Sequence, residues 1–139
     1  MVMNTAGEKI RILLSKTAQD GHEVALRYIA QTMRDAGMEV IYMRHEMIDE
    51  VIKTAQEEDV DVIGLQYYGG GMMYEVTTVM KMLKQQEMQD VKVVIGGTIT
   101  PQEKTSLLGM GVAEVFLPGQ GTVMAIPGRI KEILGTKTR

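Results

Sequence analysis

The fold is decided by the stretch Lys16-Thr-Ala-Gln-Asp-Gly-His-Glu-Val-Ala25, which separates two segments of different periodicity. Ahead of it, Ile10-Arg-Ile-Leu-Leu14 is short, apolar and partly β-branched, as is typical of a buried strand. Behind it, apolar residues recur at helical spacing until Gly37, a common helix stop; they are Ala25, Ile29, Ala30, Met33 and Ala36. The pattern predicts a strand, a loop and a helix in that order.

The same alternation occurs five times along the chain. The other predicted strands are Glu39–Met43, Asp61–Leu65, Val91–Ile95 and Glu114–Leu117. The helices that follow the strands are predicted near residues 25–36, 47–58, 74–86, 101–108 and 122–134, the last one irregular around Pro127 and Gly128. Five such units with short connections predict an α/β fold, a flavodoxin-like (Rossmann-like) doubly wound five-stranded parallel sheet with strand order 2-1-3-4-5. We assign one domain to residues 9–135 and short tails to residues 1–8 and 136–139.

Composition excludes several classes of function. A net charge of −3 with no stripe of Lys and Arg argues against a nucleic-acid partner. No apolar run approaches the ~18 residues of a membrane span, and residues 1–8 contain no signal-peptide core. The absence of cysteine excludes disulfides, thiolate metal sites and cysteine nucleophiles. We therefore expect a cytoplasmic protein with no membrane partner.

The predicted topology also locates a ligand site. In sheets of this order, ligands bind beyond the carboxyl ends of the strands, where strands 1 and 3 diverge. Glycine allows close approach of a backbone to a ligand, and four glycine-containing stretches lie there: Lys16–His22, Gln66–Met72, Gly96–Pro101 and Pro118–Thr122. They could admit a flat or extended ligand, although loops of this kind are rich in glycine without one.

Three side chains of the first loop suggest metal chemistry. Asp20 and His22 stand two apart across Gly21, so the carboxylate could hold one ring nitrogen of His22 and leave the other for a metal. Lys16 would keep Asp20 ionised. The alternative is an ordinary turn in which Asp20 caps the following helix.

These residues resemble a known family. Lys16…Asp20-Gly21-His22 is similar to the cobalamin-binding signature Asp-x-His-x-x-Gly, with the family's Lys four residues before the Asp. Over residues 9–135 the chain resembles the cobalamin-binding domain of methylmalonyl-CoA mutase and related acyl-CoA mutases. The further segments that match in order and spacing are Met33–Tyr42, Gln56–Leu65, Val91–Gly97, Gly111–Phe116 and Pro118-Gly119.

The resemblance implies specific roles. His22 would be the metal ligand, replacing the cofactor's dimethylbenzimidazole below the cobalt, with Asp20 on its other ring nitrogen and Lys16 behind. The displaced nucleotide tail would lie between strands 1 and 3. The implied cofactor-binding residues are Lys16, Asp20, Gly21, His22, Gln66, Tyr68, Gly70, Gly96, Gly97, Pro118 and Gly119.

The resemblance also implies what the chain does. It would be the subunit that carries adenosylcobalamin for an acyl-CoA carbon-skeleton isomerase, with no catalytic residue of its own and no activity alone. A larger CoA-binding (β/α)₈ subunit would cover the cofactor in trans. We expect the covering surface to include the glycine loops together with Tyr67, Tyr68, Met72 and Met73.

The sequence departs from the family pattern at three places. Ala25 stands where the motif has Gly, and Gly97-Thr-Ile-Thr-Pro101 replaces the family's Gly-x-x-Pro. The family's Ser-x-Leu after strand 3 is Gln66-Tyr67-Tyr68 here. Gln66 could take over the hydrogen bond of that Ser to the tail, whereas the tyrosines could either stack on the ligand or fill its place.

Other interpretations remain open. A binding or regulatory module of the same fold, with altered or lost cobalamin binding, would explain Gln66-Tyr67-Tyr68. A flavin carrier is suggested by Ser15-x-Thr17, but the loop lacks the hydroxyl residues of a phosphate cradle. A phosphorylated receiver does not fit, because no acid ends strand 1 or strand 3, and corrinoid methyl carriers typically add a helical cap domain for which 139 residues leave no room. We expect His45 to be solvated.

Overall fold

Strands and helices alternate along the computed structural model, which describes residues 9–19, 21, 23–117 and 123–135. The strands are β1 (Arg11–Thr17), β2 (Glu39–His45), β3 (Val62–Tyr67), β4 (Lys92–Gly97) and β5 (Glu114–Phe116). The helices are α1 (Val24–Asp35), α2 (Asp49–Glu58), α3 (Met72–Gln85), α4 (Pro101–Gly109) and α5 (Ile126–Ile133), the last preceded by a 3₁₀ turn at Val123–Ala125. The predicted helix irregularity therefore lies before α5, and Pro127 sits in its first turn, where a missing N–H costs little.

The sheet has the strand order β2-β1-β3-β4-β5, and every pairing is parallel. This confirms the predicted flavodoxin-like topology. Gly64 of β3 lies between Leu14 of β1 and Val94 of β4 in the register. The first and third strands are thus neighbours at the centre of the sheet.

The two faces of the sheet pack against different helices. Leu13, Ile63 and Leu65 belong to a core that includes apolar residues of α2, α3 and α4. Ile12 and Leu14 belong to a second core, with apolar residues of α1 and α5. Because both faces are covered, every residue of β3 is buried.

Strands β1 to β4 extend further toward their carboxyl ends than the sequence predicts, whereas β5 ends at Phe116, one residue before its predicted end. β1 continues to Thr17, so Lys16 lies in a strand rather than in a loop, opposite Arg44 and Gln66. The backbone N–H of Ala18 still donates to the carbonyl of His45 at 2.8 Å. Polar side chains end the apolar run after Leu14, but backbone pairing does not depend on them.

In the part of the chain that the structure describes, no helix is long and apolar enough to cross a membrane.

Candidate ligand-binding site

A cavity of about 270 Å³ lies between the sheet and helices α1 and α5. Its walls are mainly apolar, and its polar lining residues Gln66, Tyr68 and Thr98 stand at the carboxyl end of the strands. The side chains and glycines that form the rest of the wall include Ile12, Leu14, Ala25, Leu26, Ile29, Gly64, Val94, Gly96, Phe116, Ile126 and Ile130. The space thus suits a flat, largely apolar group whose one end meets polar atoms.

Two glycines on this face of the sheet contribute to the volume of the cavity because they carry no side chain. Gly64 lies on the floor, and a Cβ built there would stand 2.7 Å from Leu14 Cδ2 and 3.6 Å from Val94 Cγ2. Gly96 follows on β4, opposite Gln66 in the register. Larger side chains at either position would fill space that the sheet otherwise leaves between itself and α1.

Gly97 is required by the backbone as well as by the site. Its φ of +119° is one that side chains rarely adopt, and a Cβ there would overlap the main-chain carbonyl of Tyr67. The next N–H, that of Thr98, donates to the same carbonyl at 2.8 Å. The close approach of the two strand ends therefore demands glycine, whatever ligand binds.

Gln66 carries an unpaired polar atom at the cavity. The residue is only 5% exposed, and its Nε2 donates to the Tyr68 hydroxyl at 3.0 Å. Its buried Oε1 accepts no hydrogen bond within the described part of the chain. A buried carbonyl without a donor is unfavourable by about 1–3 kcal/mol, so a ligand that supplies a donor would fit here.

The two consecutive tyrosines face opposite sides of the sheet. Tyr68 lines the cavity, whereas Tyr67 is buried in the core against α2 and α3, and its hydroxyl donates to Glu75 Oε1 at 2.7 Å. Successive strand residues alternate between faces, which is why only Tyr68 meets the site. The expectation that Tyr67 and Met72 belong to an exposed covering surface is wrong, since they are 3% and 5% exposed.

The structure brings some of the site residues implied by the resemblance together at the cavity and places others away from it. Gln66, Tyr68, Gly96 and Gly97 line the cavity together, while Gly21 and Gly70 are exposed and stand outside its wall. Lys16 is buried at the end of β1, beside Gln66 in the register, and its Nζ donates to the carbonyl of Thr17 at 3.0 Å. The remaining predictions concern Asp20, His22, Pro118 and Gly119, which lie outside the described residues.

A second polar cluster lies on the opposite face of the sheet. Ser15 Oγ is 2.6 Å from His45 Nδ1, and His45 Nε2 is 2.9 Å from Glu75 Oε1, which also accepts from Tyr67. The expectation that His45 is solvated is wrong, because its side chain is fully buried. β2 continues two residues past Met43, and alternation from Ile41 through Met43 points position 45 at this core. That alternation is the signal that could have found the cluster.

Glu75 is ionised within this cluster. Burial alone would raise the pKa of its carboxyl, but hydrogen bonds from His45 and Tyr67 outweigh the burial and hold the pKa below its ordinary value. Burial, followed by the bond to Glu75, raises the pKa of the Tyr67 hydroxyl far above its ordinary value. A carboxylate only accepts, so both His45 Nε2 and Tyr67 donate to it.

This cluster ties strands together and does not form a hydrolytic site. Ser15 and His45 are both 0% exposed, so no substrate can reach the hydroxyl. The hydrogen bonds join the carboxyl ends of β1, β2 and β3 to the first turn of α3. Among residues 9–19, 21, 23–117 and 123–135, no three His, Asp or Glu side chains form a group that could hold a metal ion.

Comparison with known proteins identifies the family. The B12 binding domain model matches residues 10–126. The chain belongs to this family. The family predicted from the signature and the collinear segments is therefore confirmed.

Relatives of this B12-binding domain include separate mutase subunits. The chain is 37% identical over 109 residues to the 2-hydroxyisobutanoyl-CoA mutase small subunit of Aquincola tertiaricarbonis, covering 78% of this chain and 80% of the relative. It is 40% identical over 111 residues to the pivalyl-CoA mutase small subunit of Xanthobacter autotrophicus, covering 79% and 74%. The domain thus matches most of the length of both subunits.

A solved structure supports the fold of the B12-binding domain. A cobalamin-binding protein from Desulfitobacterium hafniense superposes with a TM-score of 0.73 at 16% identity, over 89% of this chain and 58% of that one. At this identity the likeness concerns the fold alone.

Proposed function

We propose that the protein is the cobalamin-binding small subunit of an adenosylcobalamin-dependent acyl-CoA mutase. The observation that carries the proposal is the apolar cavity between the central strands and helices α1 and α5, in a chain of the B12-binding family. The two small-subunit relatives support the assignment to a two-chain mutase. The cytoplasmic location remains a prediction from the sequence.

The cavity fits the nucleotide tail of such a cofactor. Its apolar walls suit an aromatic base, and the unpaired Oε1 of Gln66 offers a polar contact at one end. Gln66, Tyr68, Gly96 and Gly97 would hold the tail, and Pro118 and Gly119 would border it. His22 would bind the cobalt, with Asp20 and Lys16 fixing its orientation.

The chain's own residues bind and orient, and the reactive chemistry comes from the cofactor. Cobalamin of the adenosyl form supplies a cobalt–carbon bond whose homolysis starts a radical rearrangement. The apolar walls of the cavity would shield the tail from water, and Lys16, buried at the end of β1, would lie where the loop toward His22 begins. The acyl-CoA pocket belongs to a larger partner subunit.

Cobalt ligation by His22 can be tested directly. Electron paramagnetic resonance of the protein with cob(II)alamin should show coupling to one imidazole nitrogen, and ¹⁵N-histidine labelling should change that splitting. The chain contains two histidines, so His22→Gln should abolish the label-dependent change. His45→Gln is the matched control and should keep it, because His45 is buried with both ring nitrogens bonded. A splitting that does not change with ¹⁵N-histidine labelling of the unmodified chain would contradict the proposal.

We expect the chain alone to catalyse no isomerisation. A radical formed beside an open protein edge would be quenched unless a second protein covers it and excludes water. The measurement is turnover of a panel of acyl-CoA thioesters with adenosylcobalamin, with and without the large subunit of a related mutase. Isomerisation by the purified chain alone would refute the subunit assignment.

A binding module with altered cobalamin binding is the second candidate. The observation that favours it is the Gln66–Tyr68 pair at the cavity, where the family has Ser and Leu. Titration with cobalamin distinguishes the two candidate functions. A module that has lost cobalamin binding would leave the absorption spectrum of cobalamin unchanged.

A further inference from the structure

We propose that Gln66 makes this site selective for cobamides whose lower base carries an N–H or O–H donor, over the dimethylbenzimidazole of cobalamin itself. The inference rests on the proposed function, because it assigns the cavity to the nucleotide tail. It adds which residue contacts the lower base of the cofactor and which kind of base that residue favours.

One polar atom of the Gln66 side chain has no hydrogen-bond partner among the described residues. Its Nε2 is engaged by the Tyr68 hydroxyl at 3.0 Å, while Oε1 is buried and has no donor in the described ranges. A carboxamide oxygen only accepts. The missing partner is therefore a donor, and a ligand in the cavity that Gln66 lines could supply it.

The Tyr68 and Thr98 hydroxyls also line the cavity, but no described side chain of the wall donates to Gln66 Oε1. Gly96 lies opposite Gln66 in the register and has no side chain. Leu14, Val94 and Phe116, which line the cavity on the same face of the sheet, are apolar. The absence of a side chain at Gly96 leaves space next to Gln66, which a bound base could fill.

Lower bases differ in what they can offer this oxygen. Dimethylbenzimidazole has a ring nitrogen that accepts and two methyl groups, but no N–H once it is joined to its ribose. Adenine brings an exocyclic amine, and 5-hydroxybenzimidazole brings a hydroxyl. A site with a buried polar group discriminates strongly against a ligand that leaves this group unpaired. The donor-bearing bases should bind more tightly for this reason.

The orientation of the amide decides the sign of the preference. With Nε2 on Tyr68, Oε1 faces the ligand and selects a donor. With the amide turned over, Nε2 would face the ligand and would favour the ring nitrogen of dimethylbenzimidazole. The two arrangements therefore predict opposite orders of affinity, and the order is measurable.

The experiment is equilibrium dialysis of the protein with adenosylated cobamides that differ only in the lower base. Adenine and 5-hydroxybenzimidazole forms should bind about 10- to 100-fold more tightly than the dimethylbenzimidazole form, the range expected for pairing one buried carbonyl. Gln66→Met keeps a side chain of similar length and should bring the three affinities together. Gln56→Met, the same exchange at an exposed position of α2, should leave the order unchanged.

Each outcome decides the question. Equal affinities in the unmodified chain, or tighter binding of dimethylbenzimidazole, would overturn the selectivity and leave the proposed function standing. A donor preference that survives Gln66→Met would also overturn it. If neither the complete cobamides nor tail-less cobinamide bind, the proposed function itself fails, and the selectivity fails with it.

Discussion

Gly97→Ala should lower the free energy of unfolding by about 3 kcal/mol or more, the combined effect of a strained backbone and a steric overlap. The residue has a φ of +119°, and a methyl group there would collide with the main chain of Tyr67 rather than with a side chain that can move. Relief would require the ends of β3 and β4 to separate, which would break the bond from Thr98 N–H to the Tyr67 carbonyl. Chemical denaturation at neutral pH measures the change.

Substitutions at two other glycines separate the effect of backbone strain from that of steric overlap. Gly71 has a φ of +91° but open space around its Cβ position, so Gly71→Ala should cost only about 1 kcal/mol, from backbone strain alone. Gly69 has neither a positive φ nor a close neighbour, and Gly69→Ala should be nearly neutral. If Gly97→Ala cost no more than Gly71→Ala, the steric overlap would carry no weight.

Glu75→Gln should destabilise the domain by about 2 kcal/mol at neutral pH, because hydrogen bonds to a partly buried charged group are stronger than those to a neutral one. The Glu75 carboxylate accepts from both His45 and Tyr67. Both bonds end on Oε1, so the amide oxygen of Gln could still accept them, but it carries no full charge and each bond would be weaker. Urea denaturation of the two proteins gives the difference.

The pH dependence of this difference has a definite sign. The pKa of Glu75 is lower in the folded protein than in the unfolded chain. Its contribution is therefore complete above the ordinary carboxyl pKa and is lost as the pH falls through the lowered one. The stabilities of the unmodified protein and of Glu75→Gln should converge in acid. Glu57→Gln, at an exposed position of α2, serves as the control, and a gap that widened in acid would contradict the assignment.

The fold could be predicted because the apolar pattern and the topology agree. Strand runs such as Ile10–Leu14 and Asp61–Leu65 alternate with helical stripes, and parallel connections allow few arrangements. The ends of the strands could not be predicted in the same way. Ser15, Lys16 and Thr17 are polar, and a pattern of apolar residues gives no information about backbone pairing beyond its last member.

The site was predictable in part. The family resemblance located Gln66, Tyr68, Gly96 and Gly97, which line one cavity. Gly64 was missed because a glycine inside a strand does not reveal whether neighbouring side chains close over it or leave a void. The division between Tyr67 and Tyr68 follows from strand alternation only once β3 is known to include both Gln66 and Tyr67.

The placement of Tyr67 and Tyr68 on opposite faces gives the domain two regions that can be redesigned separately. Tyr67 is held by Glu75 in one layer, and Tyr68 meets Gln66 in the other. An engineer who wishes to change ligand choice can work on Gln66, Tyr68 and Gly64 without touching the hydrogen bonds that hold the strand ends. Mutations in evolution can act in the same way, since substitutions on the cavity face can change ligand specificity while the opposite face keeps the chain folded.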